Sequence, residues 1–81
     1  MKTIRELASA AEAALGIEIV VVGNRAAHYA EETGEGYWLT RKDLAYAIDC
    51  KREHGGDAYS HWCSGTGRLM SARSRRKIFD R

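Results

Sequence analysis

Proline is absent from this chain, which excludes a polyproline recognition segment and a stiff Pro-rich spacer. Cysteine occurs only twice, as Cys50 and Cys63. Two are too few for a disulfide framework, and a reducing compartment would keep them as thiols. No stretch approaches the roughly 20 apolar residues of a membrane span. The longest aliphatic run is Ile19-Val20-Val21-Val22. The opening residues, Met1-Lys2-Thr3-Ile4-Arg5-Glu6, lack the apolar core of a signal peptide. These absences together read as a cytoplasmic chain with no membrane partner. Its 81 residues are read as a single compact domain, 1–81, with a stability margin of a few kcal/mol.

What is present is unevenly spread. Residues 1–40 carry three Lys/Arg against six Glu, a net of −3, whereas residues 41–81 carry ten Lys/Arg against five Asp/Glu, a net of +5. Much of the excess lies in Arg73, Arg75, Arg76, Lys77 and Arg81, with Asp80 beside them. A basic end on an acidic body is suited to dock an anion or an acidic surface. The 44% hydrophobic content is enough for a core, so the sequence predicts a folded chain.

Eight glycines cut the sequence into short elements. Thr3 and Glu6 form a capping box, and Ile4, Leu7, Ala8, Ala11, Ala14 and Leu15 recur at helical spacing up to Gly16. This predicts a helix over 3–15. Residues 17–22 are β-branched apart from Glu18 and read as a central strand, because most of its length is apolar on both faces. Gly23-Asn24 signals a turn. Residues 26–31 and 37–39 read as two further strands around a hairpin loop at 32–36. Thr40 and Asp43 cap a second helix, with Leu39 and Leu44 placed as a hydrophobic staple. Gly55-Gly56 ends it. Asp57 is read as the cap of a short third helix, and Ser71 as the cap of a last one running to about Phe79. The expected fold class is α+β, with a small antiparallel sheet of two or three strands packed on one face by the N-terminal helix and two or three C-terminal helices.

Three constellations bear on function. Cys50, His54, His61 and Cys63 supply two thiols and two imidazoles, a legitimate zinc set. Cys50 and His54 are four apart on one helix. The spacing argues against a site, because a C-x-x-C knuckle is missing and His61 and Cys63 point to different sides of a helix. The reading is therefore no metal and no cofactor, with those four as the candidates should one bind. The same Cys and His residues do not make a nucleophile pair from adjacency alone, since a base must reach the thiol in space. No catalytic residue is assigned, and the chain is read as a non-enzyme. Gly34-x-Gly36 and Gly65-x-Gly67 lack the spacing of a phosphate-binding loop and read as turns.

The third constellation is the C-terminal run, where four cations occupy positions 73–77. On a helix Arg73, Arg76 and Lys77 share a side while Arg75 stands off, and Arg68 adds to the patch from upstream. Such a cluster can neutralise phosphates or grip an acidic protein groove. Tyr37 and Trp38 are adjacent on a strand and face opposite ways, so one is expected at a surface or a subunit contact. The partner-binding set is Arg68, Arg73, Arg75, Arg76, Lys77, Trp38 and Tyr37.

In length, in lacking catalytic motifs, and in its charged and aromatic residues, the chain resembles the small inhibitor proteins of bacteriophages and mobile elements, including anti-CRISPR proteins. The resemblance is one of general character and aligns no residues. It implies a protein-binding inhibitor that blocks a host protein or ribonucleoprotein complex by steric occlusion. A DNA mimic would be acidic, so the net positive charge argues against that mechanism. The alternative is a small nucleic-acid-binding regulator that uses the C-terminal Arg/Lys cluster. A homodimer is compatible with either.

Overall fold

The computed structural model describes residues 2–81. The first helix, α1 (Ile4–Leu15), starts where the sequence places it. The Thr3 hydroxyl accepts from the Glu6 N–H at 3.1 Å, and the Glu6 carboxylate accepts from the Thr3 N–H at 2.9 Å. Two orphan donors of the first turn are thereby satisfied. The second long helix, α2 (Arg41–His54), repeats the device with Thr40 and Asp43. Leu39 and Leu44 are both buried, as a staple requires.

Between them lie β1 (Val20–Val22), β2 (Arg25–Ala30) and β3 (Glu35–Leu39). The register Val22↔Arg25 leaves Gly23-Asn24 as a two-residue loop, and Gly23 takes a φ of +62° there, a conformation that glycine adopts without steric cost. After α2 come a 3-10 turn (Gly55–Asp57), α3 (Ala58–Cys63), β4 (Arg68–Leu69) and α4 (Ala72–Phe79). The four strands form one antiparallel sheet in the order β1-β2-β3-β4. The α+β class stands, with one strand more than the sequence led us to expect. The added strand pairs only two residues and is flanked by Gly67 and Met70, too short for a periodic signal.

Three further expectations are corrected. β1 lies at the sheet edge and is not central. Its apolar character on both faces has another cause: Ile19 and Val21 face the helices, whereas Val20 and Val22 face a groove beside α4. The Ile19 N–H leaves the strand ladder and donates to the Glu12 carboxylate of α1 at 2.8 Å. Asp57 makes no capping hydrogen bond, because the 3-10 turn already carries the chain into α3. Finally, the helices do not all share one face of the sheet.

Helices α1, α2 and α3 cover the first face. The core there is Ala8, Ala11, Ile19, Ala26, Leu39, Leu44, Ala47, Cys50, Ala58 and Trp62. Its alanines let α1 approach closely, so much of the apolar burial falls to Leu44 and Trp62. The opposite face of the sheet receives α4. The Phe79 ring lies 5.5 Å from Tyr29. Arg75 donates to the carbonyls of Gly34 (3.3 Å) and Arg81 (3.0 Å). Arg81 in turn bonds Glu31 at 2.6 Å and lies over the Tyr29 ring.

Gly36 makes this docking possible. A Cβ at that position would sit 2.7 Å from Met70 Sδ and 3.1 Å from Phe79 Cε2. Gly36→Ala is therefore expected to cost about 1–3 kcal/mol through overpacking, read as a drop in the thermal midpoint of roughly 4–8 °C per kcal/mol. An unchanged midpoint would show that α4 does not pack as described.

Candidate functional site

Side chains alternate along each strand, so one row of the sheet's α4-bearing face runs Val20, Ala27, Trp38 and Arg68. Trp38 stands half-buried in the middle of it. Arg68 of β4 is its direct cross-strand neighbour. Arg25, diagonal to it on β2, lays its guanidinium carbon 3.6 Å from the centre of the Trp38 ring. That is a close cation–π stack.

Trp38 forms a wall shared by two depressions. The first, of about 550 Å³, brings together Arg25, Arg41 and Arg68 with Asn24 and the first turn of α2. All three arginines are exposed. Arg41 uses one terminal nitrogen to donate to the Lys2 carbonyl at 2.6 Å, which leaves other donors of its fork free. Asp43 is the sole carboxylate on the lining among the described residues. It is bonded to the Thr40 N–H at 2.9 Å, so it occupies the helix N-terminus and leaves anion binding to the arginines. The second depression, of about 420 Å³, lies on the other side of Trp38 between Val20, Val22 and the α4 residues Ser74, Lys77 and Ile78.

The residues chosen from sequence separate into three groups. Trp38, Arg68 and Lys77 come together on this face. Arg73 and Arg76 are exposed on α4, where Arg73 and Lys77, four apart, extend the cationic side. Arg75 and Tyr37 do not belong to it. Arg75 is half-buried and spent on the carbonyls that pin α4. Tyr37 points to the helix-covered face. Arg25 and Arg41 were missed. The signal for Arg25 was the two-residue turn: once Gly23-Asn24 closes the hairpin, Arg25 must share a face with Ala27 and so with Trp38.

The Cys/His set does not converge. Cys50 is buried in the core, whereas Cys63 is exposed. His54 and His61 stack on each other with centroids 3.6 Å apart. Among the described residues no three His, Cys, Asp or Glu side chains gather in a metal-binding arrangement.

His28, absent from the expected set, is the buried polar residue among the described residues, at 6% exposure. Its Nδ1 faces the Glu18 carbonyl at 3.3 Å, and its Nε2 faces the Tyr59 hydroxyl at 2.9 Å. A carbonyl only accepts, so Nδ1 carries the proton and Nε2 accepts from Tyr59. Burial lowers the His28 pKa, opposed by the Glu18 carbonyl. Burial also raises that of Tyr59, with Cys63, Glu32 and Tyr37 adding to the effect. The folded chain holds His28 neutral, whereas the unfolded chain protonates it near the usual value of about 6.5. This contribution to stability is complete above that value and is lost as pH falls through it toward the lower folded pKa. Thermal midpoints measured across this range are expected to fall on the acid side, with the His28 ring titrating below its ordinary value by NMR. A ring titrating at or above about 6.5 would contradict the burial argument.

No family model, curated protein or solved structure matches this chain. The site therefore rests on its own chemistry. Among the described residues, no helix is long and apolar enough to cross a membrane.

Proposed function

We propose that the chain is a small non-enzymatic protein that binds single-stranded nucleic acid on the face centred on Trp38. The observation that carries this reading is the ring of Arg25, Arg41 and Arg68 around one half-buried tryptophan. Guanidinium forks neutralise phosphates bidentately, and a Trp ring or an Arg plane offers a stacking surface to an unpaired base. Lys77 and Arg73 prolong the cationic track along α4. Arg25, Arg41 and Arg68, on two strands and a helix start, line one concave patch, and Lys77 lines the neighbouring depression across Trp38. That shape suits a flexible strand better than a duplex groove, which calls for a protruding recognition helix.

The test is a fluorescence-anisotropy titration of a labelled single-stranded oligonucleotide at several salt concentrations. Log affinity is expected to fall linearly with log salt, by about 0.7 for each phosphate engaged, with duplex binding weaker. Failure to bind at low salt would end this reading.

A second reading, steric inhibition of a host protein complex, is favoured by one observation. Leu69, beside Arg68 on the edge strand β4, is 59% exposed. Exposed apolar surface bordered by arginine is common at protein interfaces. Stoichiometric capture of a host complex after nuclease treatment would support it over the first.

A further inference from the structure

On the helix-covered side of the sheet a separate cavity of about 140 Å³ opens between β2, β3 and α3. It is close in size to the roughly 150 Å³ apolar cavity that takes up benzene. Trp62, 1% exposed, forms its innermost wall with His28. Tyr37 and Tyr59 are half-buried at its sides, and the exposed Glu32 stands at its mouth.

Two properties decide what fits. The first is charge. No lysine or arginine lines the cavity, Glu32 has no ion-pair partner among the described residues, and His28 is neutral. The second is the direction of its side-chain donors. The Trp62 N–H is given to the Asp43 carbonyl at 2.8 Å, and the Tyr59 O–H to His28 at 2.9 Å. The Thr66 O–H goes to the Trp62 carbonyl at 2.6 Å, and the Thr33 O–H and Cys63 S–H also point to backbone carbonyls. Among the described residues the Tyr37 hydroxyl is the lining side-chain donor without a partner. An anion would therefore find little to bind it. The cavity offers aromatic surface, oxygen lone pairs and one carboxylate.

We propose that this cavity is a binding site for a compact methylated ammonium head. Such a group is about the size of a benzene ring, needs no acceptor for a proton, and is drawn to aromatic rings and a carboxylate at the rim. The shared chemistry has two natural sources, a free quaternary amine such as choline and the methylated lysine side chain of a peptide. The site lies on the opposite side of the sheet from Trp38 and does not depend on the nucleic-acid reading.

The experiment is an NMR titration of the labelled full chain with choline, with its uncharged isostere 3,3-dimethylbutan-1-ol, and with free trimethyllysine and lysine, all at matched ionic strength. Saturable shifts of the Cys63 and Thr66 amides are expected with choline at about millimolar affinity. The isostere is expected to bind roughly tenfold more weakly, because it keeps the shape and loses the cation–π attraction. Trimethyllysine binding more tightly than choline assigns a peptide source, and the reverse order assigns a free amine. Glu32→Gln, at an exposed turn position, is expected to keep the thermal midpoint and weaken choline several-fold. Equal binding of choline and the isostere, no saturable shift with choline, or an unchanged affinity in Glu32→Gln would each overturn the proposal.

Discussion

Trp62→Ala is expected to lower the stability of the fold by about 3–5 kcal/mol. A single core in a domain of this size rarely supplies more than about 3–5 kcal/mol, so the variant should be largely unfolded near physiological temperature. The expectation follows from where the ring sits. Trp62 is the largest fully buried side chain, in a core otherwise rich in alanine, which cannot move to fill the space left behind. The ring also packs edge-on against His28, with centroids 5.6 Å apart, and its N–H ties α3 to the Asp43 carbonyl of α2 at 2.8 Å. Trp62→Phe separates the two contributions. It keeps much of the packing and loses the hydrogen bond, for a further cost of about 1 kcal/mol on top of the smaller ring. Thermal and urea unfolding followed by circular dichroism measure both. A Trp62→Ala variant as stable as the parent would mean that the α2–α3–sheet core is not packed as described.

The second large effect concerns affinity with the fold left intact. Replacing Arg25, Arg41 and Arg68 together by Ala is expected to remove about 2 from the slope of log affinity against log salt for single-stranded nucleic acid, at about 0.7 per phosphate contact. Near 0.1 M salt that corresponds to a loss of roughly a hundredfold. All three side chains are exposed, and surface changes of this kind usually alter stability by only about 0.5 kcal/mol each. The thermal midpoint is thus the internal control. The triple change Arg73, Arg76 and Lys77 to Ala is the comparison: if it produced the larger loss, the binding face would be α4 and not the Trp38 depression. Equal affinity and equal salt slope in the Arg25/Arg41/Arg68 variant would remove the reading altogether.

What could be read from the sequence was local. Both capping boxes, the Ser71 cap and the Gly23-Asn24 turn depend on residues within four positions of one another, and each appears where expected. The split of the basic run was also legible, because helical periodicity alone puts Arg75 apart from Arg73, Arg76 and Lys77. What escaped depended on the third dimension. Apolar Val20 and Val22 mimic a central strand because α4 returns from 50 residues later to line the groove beneath them, and no local pattern encodes that return. His28 and Glu31 break the alternation over 26–31, yet β2 is an inner strand of the sheet. Arg25, Arg41 and Arg68 are spread over three elements, so no run of charge advertised the depression they form. His28 broke the apolar alternation of its strand, and that interruption was the trace of a buried polar pair whose partner, Tyr59, lies 31 residues away.

The Glu12–Ile19 bond has a consequence for how this molecule behaves in company. An exposed strand edge is a template on which a second chain can add, the first step toward domain swapping or fibrils. Here the residue just before β1 has its N–H already claimed by a carboxylate from α1, so an incoming strand meets a negative charge where it needs a donor. At the far border, β4 offers two residues, one of them Arg68. Both borders of the sheet therefore offer only a short ladder to an incoming strand. The exposed apolar residues Val22 and Leu69 lie on these two short border strands, where few ladder positions are available to seed pairing.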